Sequence, residues 1–178
     1  MENGKIHVYC GDGKGKTTAA MGLALRAHCS GEQVFVFQFM KDGASSETQY
    51  FKENNCYLCA ESEVKGFYSR MNADEQVCFK KAQQDLFDQV LNKTAKMADT
   101  KAGGLIVLDE ITYAYRWELI EQGKLLTLLR EKPENLEIVL TGRDPDEALV
   151  ELADYVSEIC KRKHPFDQGV SARKGIEY

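Results

Sequence analysis

Residues 11–18, Gly11-Asp12-Gly13-Lys14-Gly15-Lys16-Thr17-Thr18, restrict what this chain can become more than any other feature. They follow a short apolar run at 5–10 that reads as a strand. They lead into residues 16–29, a stretch rich in Ala, Leu and Met that reads as a helix ended by Ser30-Gly31. A glycine-rich turn in that context lets successive backbone N–H groups converge on anionic oxygens, and the helix N-terminus adds its dipole. The general phosphate-loop pattern is a glycine, four variable residues, then Gly-Lys-Ser/Thr. Gly15-Lys16-Thr17 fits the second half; Cys10 stands at the leading glycine position, and Gly11 and Gly13 supply backbone freedom instead. In this pattern Lys16 neutralises phosphate charge, the Thr17 hydroxyl holds a magnesium ion, and Lys14 adds a second cation. A turn without a ligand is the competing reading, and the strand–turn–helix context weighs against it.

The other half of such a site is an acid at the end of another buried strand. Leu105-Ile106-Val107-Leu108 followed by Asp109-Glu110 supplies it. Both acids are placed to hold magnesium, directly or through water. Alone, an apolar run ending in Asp-Glu reads as an exposed turn; paired with the glycine loop it reads as part of the site. Arg143 follows the apolar run at 136–140, on the same expected edge. It is expected either on a nucleotide phosphate or ribose, or in a surface ion pair with Asp144 or Asp146.

Further strands are expected at 34–39, 56–59 and 156–160. Helices are expected at 73–98, where Ala82, Leu86 and Val90 form one stripe, at 125–130, and at 145–154 with Pro145 in the first turn. Strands alternating with helices predict an α/β fold of the P-loop NTPase (RecA-like) kind: a mostly parallel sheet covered by helices on both faces, with ligands outside the carboxyl ends of the strands. The 178 residues suit one domain over 1–178, with 161–178 as an ordered C-terminal flap.

The net charge of −5 provides no global field for nucleic acid or anionic lipid. No apolar stretch reaches the roughly 18 residues of a membrane span, and the first residues lack a signal-peptide layout. Six scattered cysteines read as reduced thiols of a cytoplasmic protein rather than a disulfide framework. Cys56 and Cys59 have the spacing of half a zinc site but no second pair, and read as structural cysteines. His7 and His28 read as packing residues, and Trp117 either walls a pocket or packs.

A phosphate loop does not name its acceptor. At the residues above, however, the sequence resembles the phosphate-loop type of ATP:corrinoid adenosyltransferase. The matches are Gly13-Lys14-Gly15-Lys16-Thr17-Thr18-Ala19-Ala20, the strand ending Gln38-Phe39-Met40-Lys41, and Leu108-Asp109-Glu110-Ile111-Thr112-Tyr113. Thr141-Gly142-Arg143, Leu152-Ala153-Asp154, Val156-Ser157-Glu158, Lys163-His164-Pro165-Phe166-Asp167-Gln168-Gly169 and Gly175-Ile176-Glu177-Tyr178 complete them.

The resemblance implies that a reduced cob(I) corrinoid attacks the 5′ carbon of ATP and displaces triphosphate. ATP would lie reversed in the loop, with Thr17 and Glu110 as metal ligands beside Asp109 and no general base. It also implies aromatic residues that displace the lower axial ligand of cob(II)alamin. The Gly-Phe-x-Trp segment of the family aligns with Gly66-Phe67-Tyr68-Ser69, so Phe67 matches and Ser69 replaces the tryptophan, leaving Tyr68 as a candidate substitute. A flavoprotein reductase as electron donor and a homodimer are further implied. A small-molecule kinase using the same loop and a nucleotide-gated corrinoid carrier are the alternatives; an arginine-rich lid, which would favour the kinase, is not evident.

Overall fold

The computed structural model describes residues 3–62, 64, 66, 68–100 and 103–177. Its six strands are β1 (Ile6–Cys10), β2 (Gln33–Gln38), β3 (Tyr57–Cys59), β4 (Gly104–Asp109), β5 (Leu136–Thr141) and β6 (Tyr155–Glu158). They form one sheet in the order β3-β2-β4-β5-β1-β6, and every neighbouring pair is parallel. The helices are α1 (Lys16–Cys29), α2 (Thr48–Glu53), α3 (Ala73–Thr100), α4 (Ile111–Arg116), α5 (Gln122–Arg130) and α6 (Glu147–Glu151).

Alternating strand residues feed two cores, as a period of two requires. Val34, Val36, Leu105, Val107 and Val139 meet Ala20, Met21 and Ala24 of α1 and Phe51 of α2. Phe35, Phe37, Ile106, Leu108, Ile138 and Leu140 meet Phe79, Leu86, Phe87 and Val90 of α3, with Leu125 and Leu129 of α5. Both faces of the sheet are covered, which accounts for the near-continuous apolar character of β2 and β4.

Two short helices, α2 and α4, escaped the sequence reading: six residues each is too short to show a helical period. The helix expected at 145–154 is shorter, because Asp146 is its N-cap and accepts a hydrogen bond from Ala148 N–H; Pro145 therefore stands outside the helix rather than in its first turn. Strand β6 ends at Glu158 rather than residue 160. Just beyond it, the N–H of Ile159 still donates to the carbonyl of Cys10, while its own carbonyl turns to the glycine loop and accepts from the N–H of Gly13.

Parallel register sets the site. Gln38 pairs with Asp109, Leu108 with Leu140, Tyr9 with Thr141, and Cys10 with Glu158. The last residues of the central strands thus form one row, directly below the loop that leaves β1.

Candidate active site

The loop at residues 11–15 is shaped by its glycines. Gly15 has φ +121°, a region costly for any residue with a Cβ. At Gly13, a Cβ would stand 2.6 Å from the carbonyl oxygen of Ile159, so the close approach of β6 excludes a side chain. Lys16, the first residue of α1, is 8% exposed. Its ammonium donates to the carbonyls of Gly11 at 2.7 Å and Gly13 at 2.8 Å. Burial is the main cause that pulls its pKa below the usual lysine value, with the Arg143 charge acting the same way and Glu110 opposing it.

Asp109 is fully buried, and donors fill both of its oxygens. Oδ1 accepts from the hydroxyls of Thr17 at 2.9 Å and Thr141 at 2.7 Å. Oδ2 accepts from Gln38 at 3.0 Å and from the Lys41 ammonium at 2.6 Å. Tyr57 donates to the Gln38 carbonyl oxygen at 2.7 Å, which holds that amide with its NH2 toward Asp109. The Lys41 ammonium also lies 3.1 Å from Thr17 Oγ1.

Glu110 follows at φ 60°, a left-handed conformation that costs on the order of 1 kcal/mol or more for a non-glycine residue. Its N–H donates to Thr141 Oγ1 at 2.9 Å. Its Oε2 is buried with no hydrogen-bond partner among the described residues. Burial first, and the charge of Asp109 second, raise its pKa above the usual carboxylate value. A hard cation seeks such an oxygen. The donor set therefore fits magnesium through the Thr17 hydroxyl and Glu110, while Asp109 is committed to four protein donors and orients Thr17.

The chain's end closes over the loop. The N–H of Lys161 donates to Asp12 at 2.8 Å. Glu177 accepts from Lys14 at 3.2 Å and from the backbone and guanidinium of Arg173. Arg173 chiefly, with help from Lys14, holds the Glu177 carboxyl down to about 2.

Two cavities result. A polar one of about 630 Å3 is lined by Asp12, Gly13, Lys14, Gly15, Lys16, Thr17, Thr18, Glu110 and Arg143, with tail residues including Lys161 and His164. A more apolar one of about 1160 Å3 adjoins it at Thr17 and Thr18. Its walls include Met21, Leu25, Met40, Lys41, Phe51 and Phe79. Thr17, Thr18, Ile176 and Glu177 border both.

Most site residues expected from sequence therefore come together. Gly11 precedes the residues that line the polar cavity, and its carbonyl accepts from Lys16. Arg143 lines the cavity, while Asp144 pairs with Arg116. Tyr68 lines neither cavity directly: it stacks on Trp117 with ring centroids 5.6 Å apart and packs at 5.7 Å against Phe79, a wall of the larger one; Phe67 lies outside the described residues. Trp117 packs on Tyr113 as well. The six cysteines are unpaired, and no helix among the described residues is long and apolar enough to cross a membrane. Gln38, Lys41, Thr141 and Glu177 were not singled out as site residues. Their signal was position, since the first three end or follow apolar strands at the ligand-binding edge.

A glycine loop between a first strand and its helix, in a wholly parallel sheet, makes this a P-loop NTPase-like protein. A solved KaiC-like protein from Pyrococcus horikoshii OT3 shares the fold, with a TM-score of 0.50 at 17% identity over 92% of this chain and 75% of that one. The family model described as ATP:corrinoid adenosyltransferase BtuR/CobO/CobP matches residues 2–178. The chain belongs to this family, and with it to the transferases that move an adenosyl group from ATP to a corrinoid. It is 33% identical to the corrinoid adenosyltransferase of Escherichia coli (strain K12) over 99% of this chain and 87% of that protein. It is 32% identical to the corrinoid adenosyltransferase CobA of Salmonella typhimurium (strain LT2), with the same coverages.

Proposed function

We propose that this chain transfers the 5′-deoxyadenosyl group of ATP to the cobalt of a cob(I) corrinoid and releases triphosphate. The observation that carries this reading is the meeting of the two cavities at Thr17 and Thr18. The polar cavity matches a triphosphate, and the larger, more apolar one offers room for part of a corrinoid. The bond to be exchanged then lies between them.

The reduced cobalt of the substrate supplies an electron pair to the 5′ carbon. A cobalt–carbon bond forms as the bond from that carbon to the triphosphate oxygen breaks, and the electrons leave with the triphosphate. No proton is transferred, so no general base is needed. The work of the protein is to orient the nucleotide and stabilise the charge that grows on the leaving group. Loop N–H groups at the start of α1, Lys16, Lys14 and Arg143 surround that position. To act, Lys16 exchanges the carbonyls of Gly11 and Gly13 for phosphate oxygens, which costs little because the stem is long. Thr17 and Glu110 would hold magnesium, which would add positive charge at the departing phosphates. Phe67 is assigned to the corrinoid side. A flavoprotein reductase would deliver the electron in a cytoplasmic setting, and a homodimer is the expected assembly.

Product analysis tests the reading. With ATP, magnesium and chemically reduced cobalamin, the expected products are a light-sensitive adenosylated corrinoid and intact triphosphate in equal amounts. ADP in place of triphosphate would instead assign the loop to phosphoryl transfer. Phe67→Ala is expected to slow the reaction that starts from cob(II)alamin and reductase far more than the reaction from prereduced cob(I)alamin.

A further inference from the structure

Lys41 occupies an unusual position. Its ammonium is 2.6 Å from Asp109 Oδ2 and 3.1 Å from Thr17 Oγ1. It thereby bridges the carboxylate that orients Thr17 and the hydroxyl assigned to magnesium. Asp109 is wholly buried and the Lys41 side chain is 31% exposed, so Lys41 is the cation that compensates the charge of Asp109. Thr17, Thr141 and Gln38, the other donors to Asp109, are neutral, and the last two come from the sheet itself. Lys41 alone of the four comes from outside strands and helices, on the loop after β2, and with Thr17 it borders the larger cavity.

A divalent ion bound directly to Thr17 Oγ1 at about 2.1 Å would place two positive centres within about 5 Å of each other on one hydroxyl oxygen. The two arrangements therefore compete. Lys41 carries a flexible four-carbon stem and borders a cavity of about 1160 Å3 into which its ammonium can move.

We propose that Lys41 is an exchangeable internal cation: in the nucleotide-free protein it holds the place beside Thr17 and Asp109, and it yields that place when magnesium arrives with ATP. The inference rests on the magnesium part of the function proposed above. It makes metal and nucleotide binding interdependent. A bare divalent ion must evict Lys41 with no new partner for its charge, whereas a metal–triphosphate complex brings an anion that the displaced ammonium can join. By linkage, whatever weakens metal binding without nucleotide strengthens the mutual enhancement of the two ligands.

The test is binding of Mn2+ alone, followed by the spin-resonance signal of the free ion, to nucleotide-free full-length protein. Lys41→Met and Lys41→Gln are expected to bind Mn2+ at least about tenfold more tightly than the unsubstituted protein, the scale of removing one nearby like charge. Lys41→Arg, which keeps the charge, should stay as weak as the unsubstituted protein. Lys41→Gln keeps a hydrogen-bond donor for Asp109, so it serves if Lys41→Met fails to fold. Adding Thr17→Val to Lys41→Gln should abolish the gain. Equal Mn2+ affinity in the unsubstituted protein and Lys41→Gln would overturn the proposal, as would a gain that survives loss of the Thr17 hydroxyl. The measurement contains neither ATP nor corrinoid, so its outcome is independent of the product analysis above.

Discussion

The hydroxyl of Thr17 donates a 2.9 Å hydrogen bond to Asp109 Oδ1, joining the first turn of α1 to the last residue of β4 across 92 positions of sequence. That bond fixes the side chain of the loop's threonine. It also belongs to the set of four donors, two on each oxygen, that makes the carboxyl of Asp109 tolerable at complete burial.

Asp109→Ala is accordingly expected to destabilise the protein by about 3–5 kcal/mol, as when one partner of a buried ion pair is removed. The loss strands Lys41, Gln38, Thr17 and Thr141 together. Thermal unfolding should register a fall on the order of 10 °C for a domain of this size. A change of under two degrees would mean that the four-donor arrangement contributes little.

Lys16→Ala should lower turnover by about 10²–10³ at saturating substrates, the scale for one preorganised charge-stabilising group. Because loop carbonyls alone hold the ammonium among the described residues, unfolding temperature should move far less than activity does. Retention of near-normal turnover would remove Lys16 from the leaving-group side.

Glu110→Gln separates stability from function. Glu110 keeps a buried oxygen without a donor among the described residues, and burial disfavours its charge. Removing that charge should stabilise the nucleotide-free protein at neutral pH by about 1 kcal/mol while lowering activity at least about tenfold. Calorimetry and a turnover assay on the same preparation check both halves. A variant that is both less stable and fully active would contradict the assignment.

The tail contact carries a pH signature. The Glu177 carboxyl is depressed from 4.5 to about 2, first by the Arg173 side chain and then by its backbone N–H. A depressed acid stabilises the folded arrangement above its unfolded value, so this contribution is complete above about pH 5 and fades as pH falls from there toward 2. Carbon NMR of the Glu177 carboxyl should show a midpoint near 2, and Glu177→Gln should speed amide exchange over residues 173–177 at neutral pH. A midpoint near 4.5 would mean that the tail is not pinned in solution.

Local pattern sufficed for much of this protein. The bounds of α1 were legible because the glycine loop and Ser30-Gly31 punctuate it. The double-faced burial of β2 and β4 was legible because their apolar runs lack alternation, and Asp109-Glu110 stood out as polar residues closing one such run. These are signals carried within a dozen residues, where period and turn chemistry act directly. Which neighbours each strand end would have was another matter. Parallel register alone sets Gln38 and Thr141 on either side of Asp109, and loop geometry alone brings Lys41 onto the Thr17 hydroxyl. Only the packed tail sets Glu177 against Lys14, 163 residues away. Contacts of that separation are decided by the global arrangement of the sheet, and no spacing along the chain encodes them.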